Sequence, residues 1–168
     1  KTFFVENTIF FKVNSNDFCG NRFNETASII FTSGTTSKPK GVKLTHKNVL
    51  TATSNIVEMI DLQPTDIEIN SLSLSHSFGL GCLHATFMQG STSLIFKNTI
   101  NLKQILKNAK YENATGFVGV PVIFYQILNS FPDLFSSIFS IRYLLTNTAP
   151  MKKESILEIM RLFPKANF

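Results

Sequence analysis

Apolar residues along this chain fall in short blocks whose period changes near residue 26. Before it, Phe3, Phe4 and the run at 9–13 flank an Asn/Asp/Gly-rich interval at 14–24, which predicts one or two strands and a loop. From Ala27 onward, apolar runs of four to eight residues alternate with segments of helical period. That alternation predicts βα units feeding a buried, mostly parallel sheet flanked by helices, an α/β fold. The first unit is a strand at 28–32, a polar Gly/Ser/Thr segment, and a helix at 46–60 with Thr45 as its N-cap. Pro64 and Asp66 mark a turn before a strand near 67–74. A helix then runs to about Gln89, stopped by Gly90, and a strand follows at 92–96. Further units are a helix at 102–109 and a strand at 115–121 that ends on Pro121, which opens a helix at 122–129. A short helical turn at 132–139, a strand at 141–145 and a helix at 152–163 ended by Pro164 complete the pattern. Lys103, Lys107 and Lys110 fall on the solvated face of their helix, opposite Ile105 and Leu106.

The chain's 168 residues suffice for one ordinary core, so residues 1–168 are expected to form a single α/β unit. Hydrophobic residues make up 43% and charged residues only 16%, which predicts a piece of a larger body whose apolar faces meet a missing part. The absence of an initiating Met and the abrupt end at Phe168 suggest trimming at both ends. The net charge of +5 has one notable cluster, Lys38, Lys40, Lys43 and Lys47, and no arginine-rich run or RNA-binding aromatic signature. A nucleotide accounts for that cluster better than a nucleic acid does. Cys19 and Cys82 lack the spacing of a zinc site or a disulfide framework, and two free thiols suit a reducing cytoplasm. No apolar run approaches the ~18 residues of a membrane span. The N-terminus is broken by Glu6 and Asn7 before a secretory signal can form.

The candidate chemistry sits between the strand at 28–32 and Thr45, in Thr32-Ser33-Gly34-Thr35-Thr36-Ser37-Lys38-Pro39-Lys40-Gly41. Backbone N–H groups freed by glycine, a row of hydroxyls and two lysines make a donor-rich, positive concavity of the kind that holds phosphate oxygens. The hydroxyls would fix orientation, while Lys38 or Lys40 supplies the Coulomb attraction. It is not the common mononucleotide loop: counted from Gly34, Pro39 stands where that motif needs glycine and Gly41 where it needs a hydroxyl.

The stretch resembles the phosphate loop of the acyl-adenylate-forming (AMP-binding) superfamily, which includes acyl-CoA synthetases, aryl-CoA ligases, luciferases and peptide-synthetase adenylation domains. The match fails only at Ser37, where the family usually has glycine, and continues through Val42, Leu44, Thr45 and His46. If the backbone needs φ > 0 at Ser37, serine costs about 1–2 kcal/mol there. A second block, Ser75-His76-Ser77-Phe78-Gly79 followed by a helix, Gly90 and an apolar strand, is similar to the family's His-x-x-Gly segment, with Ser73 where relatives often carry Pro. By that resemblance His76 is a substrate-pocket residue; a histidine that only caps the following helix is the plainer alternative. Val120 and Pro121 resemble the family's Val-Pro strand end beside the acyl tunnel, although packing alone would explain nearby Phe117, Phe124 and Tyr125 equally well. Thr146-Asn147-Thr148-Ala149-Pro150-Met151 resembles the segment that lies against adenine and acyl group, with Asn147 and Thr148 in place of small residues. Bulk at those positions would narrow the pocket.

The resemblance implies part of the N-terminal core of an enzyme that, in the full-length protein, activates a carboxylic acid with ATP to an acyl-adenylate and passes it to a thiol, that of CoA. A fatty or aryl acid fits the apolar surroundings of His76 and Val120. Thr32, Ser33, Gly34, Thr35, Thr36, Ser37, Lys38, Lys40 and Gly41 would surround the phosphates, with Thr32 as a Mg²⁺ ligand and Thr148, Ala149 and Pro150 on the adenine side. The family's Tyr-Gly-x-Ser/Thr-Glu and Thr-Gly-Asp blocks and its adenylation lysine on a mobile C-terminal domain do not occur in these 168 residues, so the piece alone is expected to be inactive. A degenerate, non-catalytic binding module and an amino-acid adenylation domain are the alternatives.

Overall fold

The structure, a computed structural model, describes residues 3–5, 8–10, 24–32, 40–96 and 101–168. Strands β1 (Phe3–Val5) and β2 (Thr8–Phe10) pair antiparallel. Strand β3 (Thr26–Thr32) pairs antiparallel with β4 (Lys40–Thr45), and Thr32 opposite Lys40 is the last pair of the ribbon. The strand expected at 28–32 to feed the parallel sheet is thus corrected to one arm of a separate ribbon. Gly41, Val42, Lys43 and Leu44 alternate with strand period, and a partner so near in sequence closes without the long crossover a parallel neighbour needs. The ribbon leaves apolar side chains uncovered: Ile29 is 56% and Phe31 69% exposed.

At its end Thr45 caps helix α1 (His46–Met59): its Oγ1 accepts from Asn48 N–H, and Asn48 Oδ1 accepts from Thr45 N–H at 3.0 Å. This reciprocal box fixes where the helix starts. There follow β5 (Ile67–Asn70), α2 (Ser77–Gln89), β6 (Thr92–Ile95), α3 (Leu102–Tyr111), β7 (Gly116–Gly119), α4 (Pro121–Ser130), α5 (Pro132–Ser136), β8 (Tyr143–Thr146) and α6 (Lys153–Leu162). Gly90, left-handed at φ 74°, ends α2 as expected. The last four strands form one parallel sheet in the order β6-β5-β7-β8.

Two adjacent rows of the register explain the layers. Leu94, Ile69, Phe117 and Leu144 stand side by side across the four strands and enter the main core with residues of α3, α4, α5 and α6. Within that core Phe117, Phe124 and Phe135 pack edge to face, with centroids 5.6–6.4 Å apart. The next row, Ser93, Glu68, Gly116 and Tyr143, faces the opposite layer. There Tyr143 packs with Ile60, Leu62 and Ala85, and α1 lies against α2. The ring of Tyr143 crosses β7 at Gly116, where a Cβ would stand 2.0 Å from the ring. Only glycine lets the hydroxyl pass and donate to Glu68 Oε2 at 3.0 Å.

The amino edge of the sheet is tied by Asp66. Its carboxylate accepts from Arg142 Nε at 2.6 Å and from Nη2, from the Thr115 hydroxyl at 2.7 Å and from Gln63 N–H at 2.6 Å. Arg142 also donates to the Asp61 carbonyl at 2.6 Å, joining the starts of β5, β7 and β8 to the end of α1. Burial alone would raise the Asp66 pKa, but the bonds from Arg142, Gln63 and Thr115 together outweigh it and hold the carboxyl below its ordinary value.

Glu68 behaves oppositely. Burial pushes its pKa up to about 8, against the opposing Tyr143 hydroxyl bond and with help from the Asp66 charge. The folded state therefore binds one more proton than the unfolded chain between the ordinary 4.5 and about 8, and stability falls as pH rises through that window. Asp66 contributes stability above the ordinary 3.8 that is lost as pH falls. Thermal melts across pH are expected to decline on the alkaline side, and Glu68→Gln is expected to remove that decline while leaving the acid limb. An unchanged alkaline limb in Glu68→Gln would contradict a neutral Glu68.

Candidate functional site

The order of strands creates one crevice. From β5 the chain passes through α2 to β6 on one side, whereas from β7 it passes through α4 and α5 to β8 on the other. Right-handed crossovers in opposite directions put α2 and α4 on opposite faces, and the two separate cores agree. The carboxyl ends of β5 and β7 therefore part at a topological switch point, the place where open α/β sheets bind ligands.

His76, Val120, Pro121, Thr148, Ala149 and Pro150 all lie on segments leaving this carboxyl edge, after β5, β7 and β8 respectively. His76 is the N-cap residue of α2 and exposed, and its side chain makes no cap hydrogen bond, so capping does not account for it. Its loop is held from below. Asn70 Nδ2 donates to the Gly79 carbonyl at 2.8 Å while Asn70 Oδ1 accepts from Leu72 N–H at 3.2 Å. These bonds end β5 at Asn70, four residues before the expected strand end. Gly79 has to be glycine because a Cβ would stand 2.8 Å from the Ser73 carbonyl oxygen and 2.9 Å from Leu72 Cβ. Ser71 Oγ donates to the Val118 carbonyl at 2.7 Å across the β5/β7 boundary.

Val120 precedes α4, and Pro121 takes its first position. Phe117 and Phe124 are fully buried in the main core, so packing accounts for both. After β8, Thr146 Oγ1 is buried without a hydrogen-bond partner among the described residues, and residues 147–150 are exposed. Thr148 sits at φ 82°, a left-handed conformation unfavourable for a β-branched residue. Its N–H donates to Asn147 Oδ1 at 2.6 Å. Glycine would adopt this backbone shape more easily.

Residues 33–39, between the two arms of the ribbon in sequence, fall outside the described residues. Ser33, Gly34, Thr35, Thr36, Ser37 and Lys38 are among them, and Cys19 also lies outside the described residues. Thr32 and Lys40, on either side of 33–39 in sequence, face each other, Lys40 and Gly41 are exposed, and nothing is described of the Thr32 side chain.

The carboxyl-edge segments 71–76, 120–121 and 146–151 carry hydroxyls, an amide and an imidazole and no carboxylate. With the orphaned Thr146 hydroxyl, this donor set fits a nucleotide or another anionic ligand. Among the described residues no group of three or more His, Cys, Asp or Glu could hold a metal ion. Of two residues placed to shape the edge, Asn70 was not singled out by motif reading, and Tyr125 was named beside the Val-Pro corner only as one of three aromatics that packing explains equally well. An Asn that ends an apolar run just before a Ser/Leu loop was the available signal for the first; the i+4 spacing from Pro121 was the signal for the second.

An open parallel sheet with these segments leaving its carboxyl edge beside a switch point has the architecture of α/β proteins that bind ligands there. The family model described as AMP-binding enzyme matches residues 14–168, and the chain belongs to that family. It is 32% identical over 129 residues to fatty acyl-CoA synthetase B of Dictyostelium discoideum, covering 70% of this chain and 19% of the relative. Gramicidin S synthase 2 of Brevibacillus brevis is 31% identical over 114 residues, 65% of this chain and 2% of the relative. Among solved structures, the inhibitor-bound N-terminal domain of FACL13 from Mycobacterium tuberculosis superposes with a TM-score of 0.71 at 27% identity, covering 79% of this chain and 33% of that one. The chain therefore spans about a fifth of its acyl-CoA synthetase relative and a third of the solved domain.

Gly79→Ala tests the loop support. In an ordinary helix this change stabilises by up to about 1 kcal/mol. Here the added methyl meets backbone, and a loss of about 1–3 kcal/mol is expected instead, measured by denaturant unfolding. A gain would show that the 71–76 loop does not rest on α2.

Proposed function

We propose that the full-length protein is an AMP-forming ligase that activates a carboxylic acid with ATP and transfers the acyl group to a thiol. One observation supports this function above the rest: in a chain of the AMP-binding family, segments bearing His76, Val120-Pro121 and Thr148-Ala149-Pro150 leave three neighbouring strands, β5, β7 and β8, at the same carboxyl edge. In the proposed first step a carboxylate oxygen bonds to the α-phosphorus, the bond to the bridging oxygen breaks, and pyrophosphate leaves with its electrons. Two anions must meet, so the catalyst has to neutralise the departing polyphosphate and hold the partners in line. Lys40, with Lys38, is assigned to the first task, the hydroxyls of Thr32, Ser33, Thr35 and Thr36 to holding and orienting the phosphates, and Gly34, Ser37 and Gly41 to the loop's shape. Thr148, Ala149 and Pro150 are assigned to the adenine side and His76, Val120 and Pro121 to the acid.

The thiol is assigned to CoA and the acid to a fatty or aryl class, in keeping with the acyl-CoA synthetase relative. Similarity to gramicidin S synthase 2 favours a second version, an amino acid passed to a carrier-protein thiol. No described helix is long and apolar enough to cross a membrane, and a cytoplasmic site of action is part of the proposal. The 168-residue piece is expected to be inactive by itself, since the adenylation lysine and ribose-binding aspartate of relatives lie in blocks it does not contain.

Acid-dependent ATP–pyrophosphate exchange by the full-length protein, run over fatty, aryl and amino acids, is the test. Exchange with an apolar acid is expected, and Lys40→Ala is expected to lower kcat/KM for ATP at least about tenfold, the loss of one charge-assisted hydrogen bond. Exchange without any acid, or unchanged kinetics in Lys40→Ala, would contradict the assignment.

A further inference from the structure

Tyr125 lies one helical turn beyond Pro121 on α4 and is half-buried. Residues at i and i+4 share a helix face, so the phenol leaves α4 on the same side as the Val-Pro corner. Its oxygen accepts the backbone N–H of Lys152 at 2.8 Å, across 27 residues of sequence. Lys152 is the N-cap residue of α6 and closes the strap that runs from Thr146 past the left-handed Thr148. This bond ties residues 147–152 to α4; the same residues also make the internal bond from Thr148 to Asn147 and the first-turn bond of α6, in which the Lys152 carbonyl accepts from Ile156 N–H at 3.1 Å. The strap is otherwise anchored by β8 pairing at Thr146 and by Met151, which packs against the main core.

A strap whose middle is exposed and whose turn is strained relaxes unless its ends are held. One end is fixed by the sheet. The other is fixed to the very helix that carries Val120 and Pro121.

We propose that Tyr125 is a positioning residue: its hydroxyl, by holding the Lys152 N–H, sets the spacing between the Val120-Pro121 corner and the Thr148–Pro150 strap and so how closely the two grip a bound nucleotide and acid. This rests on the acid-ligase function proposed above. Val120 and Pro121 are there assigned to the acid and the strap to adenine, so the bond couples the two substrate sides. A phenol suits the task better than a longer polar chain because two χ angles fix its oxygen once the ring is packed.

The bond can be removed from either end. Tyr125→Phe deletes the acceptor and keeps the ring. Lys152→Pro deletes the donor, and the native φ of −65° at Lys152 already suits proline. Lys152→Ala keeps the N–H and serves as control for the lost side chain. In the full-length protein, both bond-deleting variants are expected to raise KM for ATP about fivefold in acid-dependent exchange with kcat within about twofold, the size of one neutral hydrogen bond. The double variant is expected to match either single one, because both act through one bond, and Lys152→Ala to match wild type. Amide hydrogen exchange at 147–152 is the second readout, expected to be faster in Tyr125→Phe and to need about fivefold more ATP for protection.

Wild-type KM with wild-type strap exchange in Tyr125→Phe overturns the role. So do additive effects in the double variant, a fall in melting temperature without a KM change, or a wild-type strap that ATP does not protect. Should wild type exchange pyrophosphate with none of the acids while the strap's ATP protection still shifts in Tyr125→Phe, the ligase function falls and the positioning role stands.

Discussion

The packing of Tyr143 across Gly116 onto Glu68 fixes the arrangement of the three strands that carry the candidate site. It needs a glycine in the middle strand, since a Cβ would lie 2.0 Å from the ring, and it needs β8 in register with β7 so that Tyr143 stands beside Gly116. A one-residue slip would turn Tyr143 toward the phenylalanine core and Leu144 toward the buried Glu68. Register at β5, β7 and β8 then determines where their carboxyl ends lie, and with them the starts of the His76 loop, the Val120-Pro121 corner and the Thr148 strap. The acidic row is an unusual choice for a buried sheet face. Glu68 stays neutral well above its ordinary range because burial outweighs its one hydroxyl bond, and Oε1 has no partner among the described residues.

The two edges of the sheet have different jobs. The amino edge is bound up in the Asp66–Arg142 network, whose carboxylate accepts from donors in three connecting segments. Such a network holds strand starts together and leaves nothing to offer a ligand. The carboxyl edge carries loops supported from beneath by Asn70, Gly79 and Tyr125, with an orphaned hydroxyl at Thr146. Rigid support under exposed, polar loops is the usual division between scaffold and site.

Much of this was legible in the sequence, and the exceptions are physical. Helix starts and stops carried local signals, Thr45 at α1, Gly90 after α2 and Pro121 at α4, and the structure has all three. The α/β class and family membership followed from periodicity and from the Thr32–Gly41 string. The β3–β4 ribbon was hidden because lysines and a glycine break up the apolar signal of its second arm, although the period-2 alternation of Val42 and Leu44 was present. Strand β5 stops early because of a side-chain amide that binds forward to Gly79, a tertiary contact no window of sequence contains. Tyr125 was one aromatic among several on an apolar helix. Phe117 and Phe124 proved to be core, and only the fold showed that the Tyr125 hydroxyl reaches Lys152.

Nucleotide binding at the carboxyl edge is the claim on which the rest turns, and photolabelling locates it most directly. Full-length protein irradiated with 8-azido-ATP, with and without excess ATP, and mapped by mass spectrometry is expected to carry ATP-competed label within residues 71–76, 120–121 or 146–151. Label confined to the amino edge, at 61–66 or 112–115, or label that ATP does not compete anywhere in these 168 residues, would contradict it.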